Sequence, residues 1–184
     1  MLYTGKGDDG TTKTFGCCDQ RISKSSAVAE ALGALDEVNS FLGVVKVRAD
    51  TAGTTLGEMS YVEIVGNIQQ NLFTVQAEVA GADKHITEEK VREAETLIHE
   101  IEGELPPIKT FFVSGGTELA ALLDVSRTIA RRAERRAVAA HEEGKVVVGK
   151  NTLAYLNRLS SLLYAMARQV NHKSGITEEP PSYK

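Results

Sequence analysis

Tryptophan is absent from this 184-residue chain, aromatic residues make up only 5%, and proline occurs four times. So thin a supply of β-formers and turn-makers, beside abundant Ala, Leu, Glu and Arg, argues against an all-β fold and for helices. Cysteine occurs twice, as the neighbours Cys17 and Cys18. Adjacent cysteines have poor geometry for a mutual disulfide and lack the spacing of a zinc pair, so both are read as reduced and without a site role. There are four histidines, and none of His85, His99, His141 or His172 follows a glutamate by three positions. A bundle di-iron centre needs that Glu-x-x-His pattern on two helices and is excluded. No Gly-x-Ser-x-Gly elbow is present, which removes support for a hydrolase. No apolar run reaches membrane-spanning length, and the start of the chain lacks the apolar segment of a signal peptide, so the cytoplasm is the expected location. The formal charge is −4. General binding to nucleic acid or anionic membranes is therefore not expected, and any phosphate ligand must be met by a local basic patch.

With 42% hydrophobic residues, the chain can bury a core and is read as one domain. Five helical patterns follow one another. The first runs from about Ser26 to Ala49, with Val28, Leu32, Leu35, Val38, Leu42 and Val45 as its apolar stripe and Ser26 as its cap. Beside that stripe lie Asp36, Asn39, Ser40 and Gly43. Gly33 and Gly43 each cost a helix about 1 kcal/mol, which suggests close approach of a ligand or another helix. Thr55-Leu-Gly-Glu58 has the form of a capping box and opens a second helix to near Gly81. Thr87 opens a third, which Pro106-Pro107 ends. Their periodicity carries no convergent chemistry, and both are read as scaffold.

The fourth helix is the richest stretch. Ser114-Gly115-Gly116-Thr117 provides a turn and a helix start. Leu119, Leu122, Leu123, Ile129, Ala130, Ala133 and Ala137 form its core stripe. Arg127, Arg131 and Glu134 share the neighbouring face at i, i+4 and i+7. Two arginines one turn apart repel unless an anion lies against them. They read either as a solvated basic face or as an oligophosphate clamp, for which the forked, permanently charged guanidinium is suited. The fifth helix begins near Asn151 or Thr152 and carries a polar line of Asn157, Ser161, Tyr164, Arg168 and Asn171, an expected interface with water, ligand or another subunit. Val146-Val147-Val148 is too short to be a sheet strand.

The first 25 residues show no apolar periodicity. Tyr3-Thr4-Gly5-Lys6-Gly7-Asp8-Asp9-Gly10-Thr11-Thr12 reads either as a loose terminus or as an anion-binding nest, with Asp8 or Asp9 available to a magnesium ion riding on phosphate. It is not a Walker loop, because no lysine precedes the hydroxyl residues after Gly10.

Taken in order, five fragments resemble the PduO-type ATP:cob(I)alamin adenosyltransferases over nearly the whole chain. They are Tyr3-Thr-x-x-Gly-Asp-x-Gly-Thr-Thr, Gly33-x-x-Asp36-Glu-x-Asn39-Ser, Phe112-Val-Ser-Gly-Gly-Thr, Arg127-Thr-x-x-Arg131-Arg-Ala-Glu134-Arg and Tyr155-Leu-Asn157-Arg-Leu-Ser. The resemblance implies an all-α, up-down, ferritin-like five-helix bundle. It divides the single domain into a nucleotide-binding loop (1–25), the bundle (26–172) and a tail (173–184). The implied assembly is a homotrimer with ATP between subunits. Thr4, Gly5, Lys6, Gly7, Asp8, Gly10, Thr11 and Thr12 would then wrap the triphosphate, and Lys24 matches a basic residue that touches phosphate. Arg127 matches an arginine that pairs across the subunit boundary with the aspartate matched by Asp36. Arg131 matches one that neutralises triphosphate, and Glu134 and Asn157 match nucleotide contacts. Phe111 aligns with the aromatic that crowds the lower face of the corrin, with Phe112 one position away.

The implied reaction is attack of cobalt(I) on the 5′-carbon of ATP, giving adenosylcobalamin and triphosphate. ATP, Mg2+ and cobalamin are the implied ligands; a corrinoid reductase and a cobalamin-dependent acceptor enzyme are possible partners. Three positions depart from the family's usual pattern. Val113-Ser114 stands where Leu-Pro is usual before Gly-Gly, Ala27-Val28 where Pro-Arg is common, and Ser161 where an aspartate follows Ser160. These departures keep open a non-catalytic ATP- or corrinoid-binding bundle, a sensor or carrier. A phosphotransferase using the same loop is the rival enzyme.

Overall fold

The computed structural model describes residues 2–15 and 21–183; Cys17 and Cys18 lie outside them. Its short strands and helices run in the order β1 (Thr11–Thr12), β2 (Ile22–Ser23), α1 (Ala27–Ala52), β3 (Thr55–Leu56), β4 (Met59–Ser60), α2 (Tyr61–Val79), α3 (Glu88–Glu104), α4 (Glu118–Glu142) and α5 (Lys150–Lys173). The all-α expectation holds, since the strands are two-residue ladders, β1 antiparallel to β2 and β3 antiparallel to β4.

Caps fix most boundaries. Ser26, Thr87 and Thr117 each accept a first-turn amide with the side-chain oxygen, as their spacing predicts. The Thr55–Glu58 box does not form. Thr55–Leu56 instead folds back on Met59–Ser60 around Gly57, whose φ is +54°, and the same signature five residues later makes the box. There the Ser60 oxygen accepts from the Glu63 amide and Glu63 accepts from the Ser60 amide. Two such signatures lie in tandem, and the glycine inside the first favours a turn over a helix. Before the first proline, Leu105 is extended (φ −106°, ψ 148°) and ends α3.

Cross-helix pairs set the directions. Glu30–Arg136, Glu37–Arg132 and Arg48–Glu118 join α1 to an antiparallel α4. Asn157 bonds to Glu134 and Asn171 to Thr117, which makes α5 antiparallel to α4. Arg158–Glu95 and Gln169–Glu104 run α3 parallel to α5. The chain therefore alternates up and down through all five helices. Leu35, Leu42, Ile64, Leu72, Leu123, Leu156, Leu159, Leu163 and Met166 fill the middle. The α4 core stripe ends in Ala130, Ala133, Ala137 and Ala140, all fully buried, and these small side chains let α1 and α5 approach α4 closely.

Helix α5 starts at Gly149, which has no side chain to cap it. Glu78, from the last turn of α2 and 3% exposed, supplies the missing acceptor. It takes the Gly149 amide at 2.7 Å and the Thr152 hydroxyl, and His85 Nδ1 lies 3.2 Å from it. Hydrogen bonding to Glu78, and then to Asp83, lifts His85 above the ordinary imidazole range.

Candidate functional site

A cavity of about 690 Å³ opens where α4 and α5 meet the segment leading into α4. Phe111, Phe112, Asp124, Arg127, Arg131, Tyr164 and Arg168 are among its walls. Arg127 and Arg131 project from α4 about 40° apart around the helix axis, on the flank that meets α5. Arg127 Nε donates to Asp124 Oδ1 at 3.1 Å, and its guanidinium lies 5.7 Å from the Tyr164 ring centroid. Burial raises the Tyr164 phenol above its ordinary range, so the ring stays a neutral face for the cation. Arg131 is exposed and makes no ion pair among the described residues. One cation is thus fixed by its own helix and the next carries a charge still to be matched.

Around the same flank, Asn157 Nδ2 donates to Glu134 Oε1 at 3.1 Å. Asn157 Oδ1 accepts from Arg158, which is held by Glu95. The Glu134–Asn157 pair named from sequence is therefore a direct contact, steadied from α3.

The polar line on α5 changes character along its length. Asn157 and Ser161 are exposed, whereas Arg168 and Asn171 are buried, at 4% and 6% exposure. Asn171 locks the turn before α4: its Nδ2 donates to the Gly115 carbonyl at 2.9 Å and its Oδ1 accepts from the Thr117 amide at 3.0 Å. Gly115 and Gly116 have φ of +134° and +95°. A Cβ on Gly116 would lie 2.3 Å from Asn171 Oδ1. Gly116→Ala is expected to cost about 2–4 kcal/mol, from left-handed strain plus a broken buried amide pair. Chemical denaturation measures this, and a loss below 0.5 kcal/mol would show that the turn yields easily.

Phe111 and Phe112 point to different tasks. Phe112 is half-buried beneath the Arg168 guanidinium, 5.1 Å from its ring centroid. Phe111 is 79% exposed at the cavity. Of the two rings, Phe111 has its face available.

The N-terminal loop is organised by internal bonds. Asp9 Oδ1 accepts from the Thr11 amide at 3.0 Å and hydroxyl at 2.7 Å, which draws its carboxyl below the usual range. Lys24 Nζ reaches the Gly7 carbonyl at 2.7 Å. Arg21 binds the Thr11 carbonyl at 2.9 Å and hydroxyl at 2.5 Å, and also the Lys6 carbonyl. Sequence reading passed over Arg21, because a lone cation in an aperiodic stretch shows nothing of its targets. Thr4, Gly5, Lys6, Gly7, Asp8, Gly10, Thr11 and Thr12 thus form one stapled loop, with turns closed by Asp8 on Gly5 and Gly10 on Gly7.

Among the described residues, this loop's return arm and the arginine pair line separate cavities within one copy of the chain. In the return arm, Ile22, Ser23, Ser25 and Ser26 line a cavity of about 1020 Å³ with Glu30, Arg136 and Ala139. Arg136 and Arg132 face α1, across α4 from Arg127 and Arg131. Asp36 is exposed on α1 and has no ion pair among the described residues. A Cβ at Gly33 would meet nothing within 4 Å, and one at Gly43 would make ordinary contact with Gln69 at 3.9 Å. No helix of the same chain therefore accounts for Gly33.

Among the described residues no three His, Cys, Asp or Glu side chains are grouped to hold a metal ion. Among the same described residues no helix is long and apolar enough to cross a membrane.

Comparison with known proteins places these features. Residues 2–170 match the family model described as cobalamin adenosyltransferase. The corrinoid adenosyltransferase of Bacillus subtilis (strain 168) is 40% identical over 179 residues, 95% of this chain and 89% of that protein. Corrinoid adenosyltransferase PduO of Citrobacter freundii is 36% identical over 93% of this chain, which spans 50% of that longer protein. Among solved structures, a variant PduO-type ATP:corrinoid adenosyltransferase from Lactobacillus reuteri complexed with cobalamin and ATP superposes with a TM-score of 0.86. It shares 29% identity over 98% of this chain and 99% of that one. Another variant of the Lactobacillus reuteri enzyme, complexed with ATP, gives 0.87 at 29% identity, covering 98% and 100%. With its five-helix bundle and a family match over most of its length, the chain belongs to the cobalamin adenosyltransferase family.

Proposed function

We infer that the protein transfers the 5′-deoxyadenosyl group of ATP to the cobalt of cob(I)alamin, releasing triphosphate. The observation that carries this is the shared cavity of Arg127, Arg131 and exposed Phe111 in a chain whose structural neighbour holds cobalamin and ATP. As the cobalt–carbon bond forms, the bond from the 5′-carbon to the triphosphate breaks and negative charge gathers on the leaving group. No proton has to be removed from the nucleophile, so the protein's tasks are position and electrostatics.

Arg131, without a counter-ion among the described residues, is assigned to the triphosphate. Arg127 uses Nε on Asp124 and keeps its Nη groups for a second carboxylate, which suits pairing with Asp36 of a neighbouring copy. Glu134 and Asn157 are assigned to the nucleoside. The stapled loop, with Lys24, is assigned to the phosphates through its backbone amides and hydroxyls. Phe111 is assigned to the lower face of the corrin, where an apolar ring excludes an axial ligand. Mg2+ belongs with the bound ATP. The described residues build no all-protein site for it, which fits an ion carried on phosphate oxygens with few protein ligands.

Because loop and arginines occupy opposite flanks of α4, one ligand can touch both only if two copies contribute. A closed ring of three, each giving its loop to the next, satisfies that demand, and the unexplained Gly33 and Asp36 fit a face against another copy. Loop, bundle and tail are proposed to act as one catalytic domain in the cytoplasm, served by a corrinoid reductase and supplying a cobalamin-dependent acceptor.

Incubation with ATP, Mg2+ and reduced cobalamin should convert the corrin absorption to that of adenosylcobalamin and release triphosphate in equal amount. Inorganic phosphate or ADP as product would overturn the assignment in favour of phosphoryl transfer.

A further inference from the structure

The family match ends at residue 170, yet the chain beyond it does work on the loop that carries Phe111. Arg168, with a side chain 5% exposed, donates from Nε to Glu178 Oε2 at 2.8 Å, and the Glu178 side chain is 17% exposed. The same guanidinium covers the Phe112 ring and reaches the Pro106 carbonyl at 3.4 Å. One residue further, the Glu179 carbonyl accepts from the Val113 amide at 2.9 Å. Asn171 holds Gly115 and Thr117. The segment from Pro106 to Thr117 is thus pinned on both sides of Phe111, at Pro106 by Arg168 and at Phe112 and Val113 by Arg168 and the C-terminal segment, while Phe111 itself projects into the cavity.

We propose that residues 174–183 form a strap that sets the height of Phe111 through Glu178, Arg168 and Phe112, making Glu178 and Arg168 positioning residues for the corrin. A buried guanidinium needs a counter-charge, and without one it must move to water or leave its site. If Arg168 moves, the Phe112 ring loses its cover, and the neighbouring Phe111 loses its fixed base. The strap also answers a departure in the turn: Ser114 stands where the family commonly has proline, so stiffness that a pyrrolidine ring would give is supplied here by contacts from outside the loop. This inference rests on the assignment of Phe111 to the corrin.

The test is Glu178→Gln in the full chain, which removes the charge and keeps the shape, with Glu178→Asp as the conservative variant and termination after Ser174 as a second lesion. In the ligand-free protein, amides of residues 110–114 should exchange with solvent about tenfold faster in Glu178→Gln, with the helices unchanged. In the enzyme, kcat/KM for cob(I)alamin should fall roughly tenfold to a hundredfold, since a misplacement of about an ångström can cost on the order of 10²-fold, with KM for ATP unchanged. With ATP present, less of the bound cob(II)alamin should show the spectrum of cobalt without a lower axial ligand. Glu178→Asp should restore part of each effect.

Unchanged exchange and unchanged corrin kinetics would overturn the strap. So would a parallel loss of ATP and corrin parameters with a lowered Tm, which is the mark of a merely structural contact. Failure of the wild type to form adenosylcobalamin would instead overturn the proposed function. The exchange comparison would still decide whether the segment restrains the loop.

Discussion

Arg131→Ala is expected to lower kcat/KM for ATP by about 10³-fold, the scale found when a charged donor to a developing anion is removed. The side chain is exposed and has no ion pair among the described residues, so its removal should leave Tm within about 1 °C of wild type. That separation of activity from stability gives the test its force. Arg131→Lys keeps a point charge and loses the fork, and should recover only part of the rate. Steady-state formation of adenosylcobalamin at saturating corrin measures both variants. An alanine variant within threefold of wild type would remove Arg131 from the triphosphate and return α4 to a solvated basic face.

The second large effect comes from mixing lesions. Lys24→Ala frees the Gly7 carbonyl from its clamp and disables the loop, whereas Arg131→Ala disables the α4 side; each homogeneous assembly should be nearly inactive. If every site takes its loop from one copy and its arginines from the next, co-expressed chains will assemble some sites from the two intact halves. In a cyclic trimer with random mixing, about a quarter of the sites escape both lesions. Doubly tagged heteromers exclude the inactive homotrimers and hold one such site in three, so they should recover about a third of wild-type activity, a gain of several hundredfold over either parent. Recovery no greater than the sum of the parents would place both halves in a single copy, against the geometry of α4.

What could be read from the sequence was whatever depends on near neighbours. Ser26, Thr87 and Thr117 announced their helices because a capping oxygen meets an amide three residues away. The first signature before α2 misled for the same reason: Thr55 and Glu58 satisfy a local rule, and only the turn at Gly57 decides for the later box at Ser60. The grouping of Arg127, Arg131 and Glu134 on one face followed from helical spacing; Arg127 and Arg131 line the cavity at Phe111, while Glu134 bonds to Asn157 instead. Long-range partners were another matter. The polar line on α5 was visible, but Asn171 finds Gly115 at a separation of 56 residues and Arg168 finds Pro106 at 62. Nothing local distinguishes such a side chain from one facing water. Arg21 likewise gains its role only when the loop closes upon it. Among the described residues Asp36 has no ion pair and a Cβ at Gly33 would meet nothing within 4 Å, which suits the proposed face against another copy.

The Glu78 carboxylate at the head of α5 ties together the fates of two segments 71 residues apart in sequence. Fraying of the first turn of α5 would strip a nearly inaccessible anion of two donors at once, so opening there is coupled to undocking of α2. The head of α5, one turn before Asn157, is consequently expected to exchange its amides only in openings that also release the end of α2.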